Sequence, residues 1–235
     1  MPRDVVRGFE VKIWIFGIGA YSFRTENWMK NGFNGKGGLY VISGPSGAGK
    51  GTVCREIVKD GGVELSISMT TREPRAGELE GREYFFVSRE RFEEDIRNGN
   101  LLEYANVYGN MYGTPRDYVL KKLDEGRDVI LEIDIQGGLQ VKKSMPETVM
   151  IFMLPPSLEV LHKRLAGRNT DDAEVIEKRF NEAMNEIRLV GEYDYCIIND
   201  DLNEAVNNAR AIIRAKSLTV PNNIMPIIQK YENGI

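Results

Sequence analysis

The sequence predicts an α/β fold built on a parallel sheet with helices on its faces, and three observations carry that prediction. Short apolar, β-favouring stretches recur at Leu39–Ser43, Val129–Ile133, Val149–Leu154 and Tyr195–Ile198. Their lack of apolar–polar alternation is the mark of strands covered on both faces. Helix-like segments lie between them, at Gly51–Lys59, Pro115–Glu125 (closed by Gly126), Leu139–Lys143, Ser157–Leu165, Asp172–Leu189 and Leu202–Lys216. Strand then helix, repeated, builds parallel sheets, because a parallel neighbour can be reached only by a long crossover. The third observation is a glycine-rich turn that joins the first strand to the first helix, which is the context of a phosphate-binding loop.

Taken in order, residues 1–38 stand apart from the rest of the chain. They carry six Lys and Arg against three Asp and Glu and end in the linker-like Gly32-Phe33-Asn34-Gly35-Lys36-Gly37-Gly38. We expect them to form a flexible N-terminal extension, with Met29 an alternative start. The uncharged runs Ile13–Phe23, Thr148–Leu158 and Ser217–Gln229 are all shorter than the roughly 18 apolar residues of a membrane span. Tyr21-Ser22-Phe23-Arg24 is a poor signal-peptidase site, and a cytoplasmic protein is expected. Only Cys54, Cys196 and His162 are available as soft ligands, which excludes a disulfide framework and a zinc centre of cysteines or histidines. Both cysteines read as small core residues and His162 as an ordinary helix residue. A net charge of -4 provides no global field for nucleic acid or an anionic membrane.

The core is expected to span 39–71 and 113–216, interrupted by a compact α+β insertion over 72–112. There Tyr84-Phe85-Phe86-Val87 reads as a strand, Ser88 opens a short helix that Gly99 ends, and Leu101–Val107 reads as a second strand. The tail, 217–235, holds Pro221 and Pro226 and reads as irregular.

The strongest chemical signal is Gly44-Pro45-Ser46-Gly47-Ala48-Gly49-Lys50-Gly51-Thr52. Its small residues let successive N–H groups turn inward while the following helix adds its positive end, and Lys50 reaches the β/γ phosphates. Gly51 stands where the pattern usually has a magnesium-binding hydroxyl, so no protein ligand set for the metal is expected. Mg²⁺ would be held mainly by ATP's phosphate oxygens and water, and Thr52 would touch the α-phosphate. Further on, Ser68-Met69-Thr70-Thr71-Arg72-Glu73-Pro74-Arg75-Ala76-Gly77-Glu78 sets two arginines around a proline, a pairing that grips a second phosphate. Asp134 ends an apolar strand, where parallel sheets collect their ligands. Glu132 is a weaker candidate, expected to be paired internally. Arg164 and Arg168 share a helix face, and with Arg179 they suggest a lid over about 163–180.

These motifs, with Gly81-Arg82-Glu83-Tyr84-Phe85-Phe86-Val87, the run from Leu101 to Thr114, Leu131-Glu132-Ile133-Asp134-Ile135-Gln136-Gly137 and Ile198-Asn199-Asp200-Asp201-Leu202, resemble those of the guanylate kinases from about Leu39 to Lys216. The resemblance implies a P-loop NTPase-type sheet with a GMP-binding insertion and a helical lid, and transfer of a phosphoryl group from ATP to GMP. It implies that Gly44, Pro45, Ser46, Gly47, Ala48, Gly49, Lys50, Gly51 and Thr52 hold ATP with Arg164 and Arg168. Arg72, Arg75, Tyr84 and Tyr112 would hold the GMP phosphate. Ser68, Glu103 and Thr114 would surround guanine with Asp134 beside the nucleotide, and Lys50, Arg72, Arg168 and Arg179 would serve the transfer. A carboxylate at Glu103 suits guanine, because it accepts from N1–H and the 2-amino group, a pair that adenine lacks. Two alternatives stay open at this level: a kinase acting on a sugar phosphate, and a catalytically silent module that binds phosphopeptides. Whether the chain acts as a monomer or a homo-oligomer is not written in the sequence.

Overall fold

The computed structural model describes residues 10–15, 18–24, 36–107, 109–166, 173–220 and 224–233. Strands β1 (Glu10–Ile15) and β2 (Ile18–Arg24) form an antiparallel hairpin in which Val11 lies opposite Phe23. The chain then runs through β3 (Leu39–Ser43), α1 (Lys50–Val58) and β4 (Val63–Leu65). The inserted unit comes next as β5 (Ser68–Thr70), β6 (Tyr84–Phe86), α2 (Arg89–Arg97), β7 (Leu101–Val107) and β8 (Asn110–Pro115). After it come α3 (Arg116–Asp124), β9 (Asp128–Glu132), α4 (Ile135–Ser144), β10 (Val149–Leu154), α5 (Leu158–Ala166) and α6 (Ala173–Ile187). β11 (Tyr195–Ile198), α7 (Leu202–Ser217) and α8 (Met225–Glu232) complete the order.

Five strands form the central sheet in the order β11-β10-β3-β9-β4, every neighbouring pair parallel. Alternate residues of β3 serve opposite faces, as a pleated strand requires. Tyr40 and Ile42 pack with Val53, Cys54 and Ile57 of α1 and Val206, Ala209 and Ile213 of α7, whereas Leu39 and Val41 pack with Val119, Leu123 and Val141 of α3 and α4. Burying each such aliphatic side chain contributes about 1.5–3 kcal/mol, so the two-sided core fixes β3 and with it the loop at its carboxyl end. The edge strand departs from the expectation of strands buried on both faces. Ile197 is buried, but Tyr195 and Ile198 are 45% and 60% exposed, because β11 lies at the sheet's end with neighbours on one side. Cys196 is accordingly exposed and not a core residue, while Cys54 is buried.

The second sheet has four strands in the order β6-β5-β8-β7, with β5 and β8 antiparallel. It draws β5 and all of β8 into the unit that the sequence reading confined to 72–112. Ser88 caps α2 by accepting from the Arg91 amide at 3.2 Å, and Gly99 leaves the helix at φ 69°, as its sequence signals predicted. Two helices depart from the sequence reading. α4 begins four residues before Leu139, because Asp134 caps it by accepting from Gly137 N at 2.8 Å. In the tail, expected to be irregular, α8 forms with Pro226 in its first turn, where the missing N–H costs nothing.

Candidate active site

The phosphate loop runs from the end of β3 to the start of α1. Gly44, Gly47 and Gly49 take φ values of 146°, 88° and 90°, a region that side chains with a Cβ avoid. Gly49 directly precedes α1 and offers no side-chain cap, so the positive end of that helix opens toward the loop. The Lys50 ammonium folds back onto the loop, donating to the Pro45 carbonyl at 3.2 Å and to that of Gly44. Arg55 donates to the Thr52 hydroxyl at 3.3 Å.

Beside the loop lies an open cavity of about 530 Å³, lined by Ser46, Lys50, Thr52 and Arg55 and by the carboxylates of Glu132, Asp134 and Glu186. Burial pushes the Glu132 and Glu186 carboxyls up, and Lys50 pulls both back. Glu132, expected to be paired internally, instead faces this cavity. A Cβ on Gly51 would sit 3.0 Å from its Oε1. Glu186 has no motif around it, and nothing short of the fold could have singled it out. No group of three or more His, Cys, Asp or Glu among the described residues could hold a metal alone. The donor set of carboxylate oxygens beside a phosphate loop nevertheless fits a hard cation that keeps most of its shell from phosphate and water.

The small sheet gathers the residues read as an acceptor site into two groups. In one, Arg72 donates through Nε to the Tyr112 hydroxyl at 3.2 Å and through Nη2 to both Glu78 oxygens at 2.9 and 3.0 Å. Its guanidinium lies 5.5 Å from the Tyr84 ring centroid, and Tyr84 meets Tyr112 edge-on at 5.8 Å. The Arg72 hydrogen bond holds the Glu78 carboxyl below the usual carboxylate range, helped by the Arg75 amide. Thus Arg75 enters through its backbone at 2.8 Å from Glu78, and Glu78 is a site residue that the sequence reading left without a role.

In the other group Glu103, on β7, is 5% exposed and accepts from the Thr114 hydroxyl of β8 at 2.6 Å. Burial pushes its carboxyl up to about 7, against the pull of the Thr114 bond and with the push of Asp134. Ser68 lies on the same sheet, in register with Tyr84. A Cβ on Gly137 of α4 would fall 2.7 Å from Glu103 Oε2, so a bare backbone on the core side makes room for this carboxylate.

Arg164, on α5, donates to the Asn199 carbonyl at 3.1 Å and lines a second cavity of about 330 Å³ with Gly47, Gly49, Thr52 and Asn199. Leu161 and Leu165 of α5 pack on Ala183 and Phe180 of α6, and His162 bonds Glu177 across the pair at 3.2 Å. Arg168 lies outside the described residues. Arg179 lies on α6, with its side chain outside the described set.

A phosphate loop at the carboxyl end of a parallel sheet, carboxylates beside it and an Arg–Tyr–Tyr group on an inserted sheet define a phosphotransferase of the P-loop class. Residues 36–216 match the guanylate kinase family model. A guanylate kinase of Caldanaerobacter subterraneus subsp. tengcongensis is 53% identical over 189 residues, covering 80% of this chain and 92% of that one. One of Clostridioides difficile is 48% identical over 201 residues, covering 85% and 98%. The solved guanylate kinase of Anaplasma phagocytophilum superposes with a TM-score of 0.65 at 34% identity, covering 80% of this chain and 89% of that one. The chain belongs to the guanylate kinase family.

Proposed function

We propose that this protein is a cytoplasmic enzyme that transfers the γ-phosphoryl group of ATP to GMP, giving ADP and GDP, and that it accepts dGMP as well. The observation that carries the reading is the buried Glu103–Thr114 pair on the same small sheet as Tyr84 and Tyr112, with Arg72 just past β5 bonded to Tyr112. A guanine-selective carboxylate and a phosphate grip on one inserted unit suit a nucleotide acceptor, and a sugar phosphate would leave the buried carboxylate with the Thr114 hydroxyl but no base donors. Lys50 and the intact glycine nest argue against a silent binding module.

The chemistry is positioning and neutralisation of charge. The loop amides and Lys50 hold the donor's β and γ phosphates, and the charges of Arg164, Arg168 and Arg179 serve the same donor phosphates. Arg72, Tyr84, Tyr112 and Arg75 hold the acceptor phosphate, and Glu78 keeps Arg72 extended toward it. Ser68, Glu103 and Thr114 surround guanine. No strong base is needed, because a phosphate oxygen of GMP is already ionised and nucleophilic at neutral pH. Mg²⁺, bound with ATP, supplies further neutralisation of the β and γ oxygens, and Asp134 with Glu132 would orient its water shell. Closure of the insertion and the lid excludes water and suppresses ATP hydrolysis. ATP consumption measured with GMP, dGMP, AMP, a sugar phosphate or no acceptor tests the reading: turnover with the two guanine nucleotides alone is expected, and preference for any other acceptor would overturn it.

A further inference from the structure

Asn199 closes β11 and is only 6% exposed, yet no step above uses its side chain. Three of its polar groups bind three separate parts of the molecule. The backbone amide donates to the Leu154 carbonyl of β10 at 2.8 Å, the carbonyl accepts from Arg164 of α5, and the side-chain amide donates to the Ala48 carbonyl at 2.8 Å. That last bond is buried and spans 151 residues of sequence. The phosphate loop is shaped to receive it, because a Cβ on Gly49 would fall 2.3 Å from Asn199 Nδ2.

A trans peptide directs its C=O and N–H to opposite sides. Pinning the Ala48 carbonyl against Asn199 therefore turns the Gly49 amide away from Asn199. The loop separates two cavities: one holds Asn199 and Arg164, and the other holds Lys50, Ser46 and the carboxylates. Gly49 lines both. The glycines that let the loop accept a phosphate would also let this peptide rotate, and a rotated peptide would present a carbonyl where an anion requires an N–H.

We propose that Asn199 is a positioning residue for the phosphate loop, fixing the Ala48–Gly49 peptide in the orientation that presents the Gly49 amide to the donor's phosphates. The proposal rests on the loop being the ATP-phosphate site. Because Asn199 also lines the smaller cavity, its action through the loop has to be separated from direct contact with the nucleotide's base. Inorganic tripolyphosphate makes that separation, since it has the phosphates and no base.

The test is calorimetric binding of tripolyphosphate, ADP and GMP to the full chain and to Asn199→Leu, which keeps the volume but has no donor, with Asn199→Ala as the second variant. Both variants keep the backbone carbonyl that holds Arg164. The expected result is a tenfold or greater loss of affinity for tripolyphosphate and for ADP alike, a GMP affinity within twofold, and a raised KM for ATP with a smaller change in kcat. Loss of ADP affinity alone would make Asn199 a base-contacting residue and overturn the proposal, as would unchanged binding of both. Loss of GMP affinity in both variants would reduce Asn199 to a general structural residue. Failure of the unaltered chain to bind tripolyphosphate or ADP would overturn the assignment of the loop itself, and the proposal with it.

Discussion

Glu103 is the residue on which the reading of the acceptor turns, and its burial has a measurable cost. Its carboxyl is pushed up from 4.5 to about 7 in the folded chain, so the folded state binds a proton more tightly than the unfolded state. Below about 4.5 both states are protonated and nothing is lost; as pH rises toward 7 the folded state loses stability, and above 7 the loss is constant. By the usual 1.36 kcal/mol per pH unit, the penalty is on the order of a few kcal/mol. Glu103→Gln retains an acceptor for Thr114 and removes the ionisation. In thermal melts without ligand its midpoint is expected to rise relative to the unaltered chain between pH 5 and pH 8, and a pH-independent difference would contradict the burial cost. Residues whose chemistry demands a fixed type at fixed spacing could be singled out in the sequence: the glycine nest, Lys50 and Arg72, whereas Arg75 joins the Arg72 group through its backbone and not its guanidinium. Glu186 and the side-chain role of Asn199 were not, because each matters only through partners far away along the chain. Cys196 was misread because apolar composition cannot distinguish an edge strand from a central one.

At the level of elements, helix α4 joins the two sheets. It begins with Asp134, the cap that also faces the phosphate-loop cavity, and its Gly137 and Gly138 are both buried. Glycine is a poor helix former, which is why the sequence reading started this helix late. The two glycines are there for space: a Cβ on Gly138 would meet the Tyr193 hydroxyl at 2.8 Å, and one on Gly137 would meet Glu103 at 2.7 Å. Gly137→Ala therefore sets two effects against each other, a gain of about 0.5–1 kcal/mol in helix propensity and displacement of the carboxylate. Displacement is expected to win for function, because the methyl has a buried charged group in its path. Steady-state kinetics should show the KM for GMP raised about tenfold with the KM for ATP within twofold. Equal KM values in variant and parent would show that Glu103 need not occupy its observed place. The tail helix α8 escaped notice for a different reason: the tail's two prolines, Pro221 and Pro226, signal a break, and only the fold shows that Pro226 begins a helix.

Across the whole molecule, the central sheet carries the phosphate loop and a second, inserted sheet carries Glu103, Tyr112 and Thr114; the alternation of strands and helices made the parallel sheet legible. The sequence reading sets the border between extension and core at residue 38. Gly37 N donates to Leu123 O at 2.8 Å and Gly38 N to Asp128 Oδ1 at 2.7 Å, and Lys36 pairs with Asp124 at 2.7 Å, so residues 36–38 are tied to the core. We expect a chain starting at Met29 to keep these ties, full kinase activity and a melting midpoint within a few degrees of the parent. Loss of activity or of soluble protein on that truncation would make the hairpin of β1 and β2 part of the working enzyme.

The selection of guanine is tested most directly by kcat/KM for GMP and for AMP on the unaltered chain and on Glu103→Gln. An ionised carboxylate pairs with two guanine donors, whereas an amide offers one acceptor and one donor. Loss of a charged hydrogen bond costs roughly 1.5–3 kcal/mol, so the variant should show a KM for GMP about tenfold to a hundredfold higher and a narrowed preference for GMP over AMP. An unchanged GMP-to-AMP ratio in the variant would contradict the assignment of Glu103 as the residue that reads the base.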